Sequence, residues 1–232
     1  MTQQLLFPPP PHTLADIVDS DLKFPVRRIF CVGRNYHAHA AEMGVSIDKS
    51  SAEPFYFMKD PTTLVQSGAC IDFPPQTSDL QHEMELVVAL GVAGFEVDPS
   101  NAGAMIYGYA CGLDLTRRDL QQTARKAGKP WDLGKNFEQG AVLSPIVPRS
   151  TCGMLSEGRI ELSVNGATRQ ASNLQQMIWS PVELIVHLSR FYHLQPGDLL
   201  FTGTPEGVAP LAPGDTIEGR IERVGQISLR LG

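Results

Sequence analysis

Two glutamates separated by one residue, Glu83 and Glu85, are the strongest chemical signal in the sequence. They lie in His-Glu-Met-Glu-Leu, at the start of an apolar run that predicts a buried strand. Residues two apart on a strand project from the same face, with Cα atoms roughly 7 Å apart. Two ionised carboxylates on a buried face repel each other unless a cation compensates them. Solvated charges on an exposed face are the alternative, and the apolar run 86–90 argues against it.

A third carboxylate, Asp114, lies near the end of the next apolar run, residues 106–115. Buried strands bounded by glycine are predicted for both runs. Asp114 is therefore a candidate to complete a set of three carboxylates. All-oxygen ligands without a thiolate favour Mg²⁺, Mn²⁺ or Ca²⁺ over zinc.

A second group with chemical potential is the pair His39 and Glu42, in an alanine-rich stretch that predicts a short helix ending at Gly44. Residues three apart share a helix face, so the carboxylate can accept one imidazole N–H and leave the other nitrogen basic. An ordinary helix-surface pair is the alternative. His37 points away from His39 on a helix, which argues against a metal site made by the two histidines.

Two lysines and one loop are further candidates. Lys59 and Lys135 each follow an apolar segment or turn, where a charged tip can reach a cleft, although a solvated surface lysine is the simpler interpretation. Residues 201–208, Phe-Thr-Gly-Thr-Pro-Glu-Gly-Val, offer N–H groups and hydroxyls that could hold a carboxylate, or form a plain tight turn. Neither nucleotide-binding glycine motif is present in this loop.

Taken in order from about Val26 to Leu231, these stretches resemble the fumarylacetoacetate hydrolase family. Gly-Arg-Asn-Tyr-His-Ala-His-Ala-Ala-Glu is similar to the segment that carries its His–Glu dyad, and the Glu-x-Glu and Asp114 segments to its metal ligands. In the Lys-Pro segment, Asp60 stands between Lys59 and Pro61. The predicted site comprises catalytic His39, Glu42, Lys135 and Gln121, substrate-binding Arg34, Lys59 and Thr204, and metal ligands Glu83, Glu85 and Asp114.

The resemblance implies a mixed β-sandwich roll, a bound Mg²⁺ or Mn²⁺, a homodimer and a small 2-oxo acid substrate. The chain lacks room for the additional N-terminal domain of the longer members, so it is similar to the short branch that hydrolyses acylpyruvates. Residues 22–44 are most similar to members acting on fumarylpyruvate in gentisate degradation.

The implied reaction is hydrolysis of a carbon–carbon bond in a 3-acylpyruvate, with fumarylpyruvate giving fumarate and pyruvate. The metal would polarise the 2-oxo acid. His39, oriented by Glu42, would deprotonate water, and Lys135 with Gln121 would face the oxyanion. Arg34 or Thr204 would hold carboxylates. Residues 35–53 are a candidate lid.

Two alternatives to hydrolysis remain at this point. An oxaloacetate decarboxylase or enol–keto tautomerase would use the same metal and enolate chemistry without an activated water. A metal- or ligand-binding protein without catalysis would be expected to have lost part of the dyad or of the ligand set, and here every such position is filled.

Composition narrows the class of protein. The 232 residues are 42% hydrophobic and 19% charged, which suits one buried core. A net charge of −6 argues against a nucleic-acid surface. Apolar runs are too short for a membrane helix, and the first residues lack the features of a secretory signal, so a cytoplasmic protein is predicted.

The elements predicted around the site are mostly strands. The expected fold is α+β but mainly β, because the strands outnumber the helices and do not alternate with them regularly. A Thr-capped helix is predicted from Thr116 to Gly128, and another begins at Ser180 with Leu184, Leu188 and Phe191 along one side. Residues 1–25 are predicted to be a Pro-rich arm, and 26–232 a single catalytic domain.

Overall fold

The computed structural model describes residues 5–232 and is built around two β-sheets. An eight-stranded mixed sheet contains β3 (Arg28–Gly33), β4 (Phe55–Lys59), β5 (Leu64–Gln66), β8 (Met84–Leu90), β9 (Ile106–Asp114), β11 (Ala141–Leu143), β12 (Val147–Pro148) and β15 (Asp198–Phe201). A five-stranded sheet contains β6 (Ala69–Ile71), β13 (Arg159–Val164), β14 (Ala167–Asn173), β16 (Thr216–Ile221) and β17 (Gly225–Leu231). Two small sheets pair β1 (Leu14–Asp16) with β2 (Lys23–Pro25) and β7 (Leu80–Gln81) with β10 (Thr116–Arg117).

Short helices connect these strands. They are α1 (His37–Glu42), α2 (Pro99–Ala102), α3 (Arg118–Lys126), α4 (Asp132–Lys135), α5 (Arg149–Cys152) and α6 (Pro181–Leu188), with single 3₁₀ turns at Pro61–Thr63, Gly103–Met105 and Leu174–Gln176. The prediction of a mainly β, mixed sandwich-like roll with a few short helices is confirmed. Among the helices of residues 5–232, none is long and apolar enough to cross a membrane.

The central strand β8 shows why the apolar run 86–90 predicts burial on both faces. Leu86, Val88 and Leu90 pack into the large core between the two sheets. Val87 and Ala89 point to the opposite face, into a second and smaller core. Side chains alternate across a strand, so an uninterrupted apolar run must be covered on both sides.

The second core is covered partly by residues of the predicted N-terminal arm. Strands β1 and β2 form an antiparallel hairpin, and Ala15 and Phe24 are buried in this core. Ile17 forms a parallel bridge with Ile146. The second half of the predicted arm, before Val26, therefore packs against the rest of the protein. Its apolar segments are too short to give a periodic signal in the sequence. Residues 1–4 of the arm lie outside the described residues.

The two longer helices agree with the prediction in position and differ in detail. Helix α6 begins with a capping box between Ser180 and Glu183, but it ends at Leu188, and Phe191 beyond it is 63% exposed. Helix α3 has Arg117 at its N-cap, without a side-chain cap. Thr116 is not the cap because its hydroxyl accepts a hydrogen bond from Lys135 and donates one to the Asp114 carbonyl.

Asn35 joins the chain before α1 to two other segments that border the site. Its fully buried side chain donates hydrogen bonds to the carbonyl oxygens of Trp179 and Thr202, each at 2.8 Å. Its Oδ1 accepts from the Trp179 N–H at 2.7 Å. The Asn35 side chain thus connects the end of β3 to the end of β15 and to the segment before α6.

Asn35→Ala is expected to lower the free energy of unfolding by about 2–4 kcal/mol, because it leaves buried backbone groups of Trp179 and Thr202 unsatisfied. Urea denaturation followed by circular dichroism measures this loss. Asn101→Ala, at an exposed position of α2, is the control and should change stability by less than about 0.5 kcal/mol. Equal midpoints for the two variants would contradict the assignment.

Candidate active site

Three carboxylates converge where β8 and β9 lie side by side. Glu83 immediately precedes β8, Glu85 is its second residue, and Asp114 is the last residue of β9. The antiparallel register sets Glu85 opposite Gly112, and the Asp114 N–H donates to the Glu83 carbonyl at 2.9 Å. One oxygen from each carboxylate lies within 4.8 Å of the others, and all three residues are buried. The structure therefore brings together the three predicted metal ligands.

Buried cations surround two of these carboxylates. Lys135 Nζ donates to Glu83 Oε2 at 2.8 Å and to Asp114 Oδ2 at 2.7 Å. Arg118 Nη2 donates to the other oxygen of Glu83, and Lys59 Nζ lies 2.9 Å from Asp114 Oδ1. Glu85 differs from its neighbours: it accepts a hydrogen bond from the Gly203 N–H at 2.7 Å and has no salt bridge among residues 5–232.

This unequal pairing separates the pKa values of the two glutamates. Burial raises the pKa of the Glu83 carboxyl, but Lys135 and Arg118 outweigh it and hold that pKa well below its usual value. Burial, together with the charges of Asp114 and Glu83, raises the pKa of Glu85 well above its usual value. For Lys135 burial lowers the pKa, and the nearby Asp114 and Glu83 more than offset it, so the net shift is upward.

The donor set fits a hard divalent cation. All three candidate ligands supply carboxylate oxygen, which Mg²⁺ and Mn²⁺ accept. Glu85 is buried and has no salt bridge of its own within residues 5–232. An ionised carboxylate in such surroundings is unfavourable until a cation compensates it. The residues present therefore fit the metal that the sequence predicts.

The predicted dyad is formed at α1. His39 is buried, and its Nδ1 lies 3.4 Å from Glu42 Oε2. Glu42 is half exposed, and its other oxygen accepts a hydrogen bond from the Gly207 N–H at 2.9 Å. Burial lowers the pKa of His39, although Glu83 and Glu42 act in the opposite direction. A neutral imidazole held through Nδ1 leaves Nε2 able to accept a proton.

The loop after β15 holds carboxylates of the protein itself. Gly203 and Gly207, with φ of 93° and 90°, adopt left-handed conformations that favour glycine, and their N–H groups bind Glu85 and Glu42. Thr204 borders the cleft, but its hydroxyl donates to the Met84 carbonyl at 2.8 Å. That hydrogen is therefore not available for a substrate carboxylate.

One cleft connects most of these groups, and Glu42 and Asp114 lie behind its lining residues His39, Glu83 and Glu85. Of the predicted site residues, it is lined by Arg34, His39, Glu83, Glu85, Gln121, Lys135 and Thr204. Gln121 is buried and accepts a hydrogen bond from Arg118 at 2.5 Å. The apolar side chains of Phe57 and Trp131 line the same cleft. Charged groups and an apolar wall thus face a common cleft, as in other small-molecule sites.

Lys59 is the predicted substrate-binding residue that the structure places away from this cleft. Its side chain is fully buried behind Asp114. Its ammonium donates to the carbonyl oxygens of Leu115, Lys135 and Gly140. These contacts suit a group that holds Asp114 and the backbone around it, because all the hydrogens of the ammonium are directed to the protein.

Two buried residues of the site were not identified from the sequence. Arg118 donates hydrogen bonds to Glu83, Gln121 and Gln81. The sequence feature that could have indicated Arg118 is its position three residues before Gln121, on the same helix face. Gln170, on β14 of the other sheet, accepts from the Met84 N–H and donates to Thr204 Oγ1 and the Pro205 carbonyl. No local pattern marks Gln170, since its partners come from distant parts of the chain.

Comparisons with known proteins relate this chain to one enzyme family. A fumarylpyruvate hydrolase of a Ralstonia species is 53% identical over 190 residues, which covers 82% of this chain and 98% of that protein. An oxaloacetate tautomerase of Escherichia coli is 37% identical over 197 residues, covering 84% of this chain and 89% of that protein.

The same relationship is found among solved structures. The crystal structure of fumarylpyruvate hydrolase from Pseudomonas aeruginosa, in complex with Mn²⁺ and pyruvate, matches with a TM-score of 0.94 at 43% sequence identity. The match covers 98% of this chain and 99% of that one. The family model of the fumarylacetoacetate hydrolase C-terminal domain matches residues 28–231. The chain therefore belongs to the fumarylacetoacetate hydrolase family.

Proposed function

We propose that this chain is a metal-dependent hydrolase that cleaves the carbon–carbon bond of a 3-acylpyruvate, with fumarylpyruvate as its substrate and fumarate and pyruvate as products. The observation that carries this proposal is one cleft lined by Glu83, Glu85 and the buried His39, with Asp114 beside the two glutamates. The close relation to fumarylpyruvate hydrolases of Ralstonia and Pseudomonas aeruginosa supports this substrate class.

The proposed metal ligands are Glu83, Glu85 and Asp114, with Mn²⁺ or Mg²⁺ as the ion. Mn²⁺ is the ion bound in the Pseudomonas aeruginosa structure. When bound, such a cation supplies Lewis acidity that stabilises negative charge on the 2-oxo acid oxygens. Among the chain's own residues, Lys59 and Lys135 hold Asp114 from two sides and so fix the position of one ligand.

The protein's own groups account for the proton transfers. His39 Nε2 accepts a proton from the water whose oxygen attacks the distal carbonyl carbon, while Glu42 holds Nδ1. Gln121 borders the same cleft, and we propose that its amide N–H donates a hydrogen bond to the resulting oxyanion. The three hydrogens of the Lys135 ammonium are already directed to Glu83, Asp114 and Thr116, so Lys135 is proposed to act through its positive charge and by holding these groups. When the oxyanion collapses, its carbon–oxygen double bond re-forms and the carbon–carbon bond breaks, with the electron pair of that bond leaving on the pyruvate enolate. The enolate then takes up, at carbon, the proton that His39 accepted from water.

Contacts to the rest of the substrate are proposed for Arg34, which lines the cleft. Thr204 also borders the cleft, but its hydroxyl hydrogen is already donated to the Met84 carbonyl, so a contact with the substrate would not use that hydrogen. We further propose residues 26–232 as the catalytic domain, which the family match over 28–231 supports. A homodimer and a cytoplasmic location stay predictions from the sequence.

The test is an assay of purified protein with fumarylpyruvate and Mn²⁺. We expect loss of the enol absorbance, with fumarate and pyruvate formed in equal amounts, and no reaction in the presence of a chelator. The second candidate is the oxaloacetate chemistry of relatives such as the Escherichia coli tautomerase. Turnover of oxaloacetate without cleavage of fumarylpyruvate would overturn the proposed hydrolase in favour of that activity.

A further inference from the structure

Helix α3 presents a row of polar side chains along the cleft. Arg118, Gln121 and Arg125 follow one another at spacings of three and four residues, and all three line it. Arg118 lies at the carboxylate set, where it contacts Glu83. Arg125 is exposed and lies about 10 Å further along the helix axis, given a rise of about 1.5 Å per residue. The row therefore runs from the reaction centre to the mouth of the cleft.

Arg34 directly follows β3 and lines the same cleft as this helix. Its backbone has φ of 59°, a left-handed conformation that is uncommon for a residue with a side chain and is concentrated at functional sites. The guanidinium lies 5.1 Å from the centre of the Phe55 ring. Burial and the positive charge of Arg125 lower the pKa of Arg34, so the two guanidinium groups are close enough to repel each other.

The acidic residues of the site do not neutralise the positive charges of Arg34 and Arg125. Lys59, Lys135 and Arg118 already contact the buried acidic set. By contrast, neither Arg34 nor Arg125 takes part in a salt bridge or side-chain hydrogen bond within residues 5–232. Two like charges at the mouth of a cleft, without an acid between them, indicate that an anion from outside completes the arrangement.

We propose that Arg34 and Arg125 together bind the distal carboxylate of a dicarboxylic acylpyruvate and select it over acylpyruvates that end in an uncharged group. The proposal rests on the proposed function. A substrate whose two carboxyl carbons are joined through six bonds of about 1.5 Å spans roughly 7 Å, and the length of the Arg125 side chain can cover the rest of the roughly 10 Å of helical rise from Arg118 to Arg125. Arg125 is thereby a specificity-determining residue, and Phe57 and Trp131 are the apolar wall beside the connecting carbons.

The test compares Arg125→Ala with the unmodified enzyme on fumarylpyruvate and on acetylpyruvate, which ends in a methyl group. We expect KM for fumarylpyruvate to rise about tenfold through loss of a charge-assisted hydrogen bond, with kcat little changed. Both constants for acetylpyruvate should stay the same. Added salt should weaken fumarylpyruvate turnover more in the unmodified enzyme than in the variant.

Lys126→Ala is the matched control, because Lys126 has the same charge on the same helix and does not line the cleft. It should leave both substrates unaffected. Equal changes in KM for fumarylpyruvate and acetylpyruvate in Arg125→Ala, or no change for either, would overturn the proposal, since a distal-carboxylate site must respond to the charge of the substrate.

A binding measurement separates this proposal from the proposed function. Calorimetric titration with fumarate and with crotonamide, an analogue of similar size without a carboxylate, requires no turnover. Arg125→Ala should weaken fumarate binding about tenfold and leave any crotonamide binding unchanged. If the unmodified protein hydrolyses neither acylpyruvate, the proposed function fails. Equal fumarate affinity in the two proteins overturns the carboxylate site, whatever the assay shows.

Discussion

Glu85→Gln is expected to abolish binding of Mn²⁺ and to lower kcat by about 10³-fold or more, because stabilisation by a bound metal is worth several kcal/mol and each ~1.4 kcal/mol changes the rate tenfold. The substitution keeps the size of the side chain and its capacity to accept the Gly203 hydrogen bond. Metal titration by calorimetry and steady-state kinetics on fumarylpyruvate measure the two effects. Mn²⁺ affinity and turnover close to those of the unmodified enzyme would remove Glu85 from the site.

A substitution at Glu85 reports on metal binding more directly than a substitution at Glu83. Glu83 accepts hydrogen bonds from Arg118 and Lys135, so its substitution leaves two buried cations without their partner. Breaking such a pair typically costs about 3–5 kcal/mol. A loss of activity in Glu83→Gln would therefore combine a lost ligand with a disturbed fold, whereas Glu85 has no salt bridge in the part of the chain that the structure describes.

Stability gives an independent readout for Glu85. Its pKa is raised in the folded protein by burial and by Asp114 and Glu83, so the folded state holds that proton more tightly than the unfolded chain does. Without metal, this contribution favours folding at low pH and is lost as the pH rises through the raised pKa. We therefore expect Glu85→Gln to melt at a higher temperature than the unmodified protein at pH 7 in chelator. Mn²⁺ should raise the melting temperature of the unmodified protein alone.

The parts of the site that the sequence predicts are those with short-range signals. The Glu83–Glu85 spacing on one strand and the His39–Glu42 spacing on one helix each bring two groups together, and the structure shows both pairs in proximity. Asp114 joins the glutamates because consecutive apolar strands, β8 and β9, pair in an antiparallel manner. Sequential strands are neighbours in most sheets, so this contact also has a local origin.

The parts that sequence reasoning missed depend on contacts between distant segments. Gln170 connects β14 with the start of β8 and with the loop after β15. Lys59 was predicted to bind substrate, and it instead contacts Asp114 in the interior. Both are side chains of ordinary polar type whose burial follows from the packing of whole sheets. Thr116 shows the same limit, since a threonine before a helix is usually a cap, and here the ammonium of Lys135 competes for its oxygen.

The second large effect expected is at His39. His39→Gln should lower kcat by about 10²–10⁴-fold, the usual contribution of a general base, and should leave Mn²⁺ binding intact. His37→Gln is the matched control, because His37 lies exposed on the same helix, and it should have normal kinetics. A variant at His39 with normal turnover would contradict its role as the base.

The pH dependence distinguishes a base at His39 from a residue that only supports the helix. Burial holds the pKa of His39 below its usual value of 6.5, so kcat/KM of the unmodified enzyme should be flat at neutral pH and fall only below that value. Glu42 raises the pKa of His39. Glu42→Gln should therefore move the acidic limb to lower pH while it reduces the maximal rate, whereas a purely structural contact would reduce the rate and leave the limb in place.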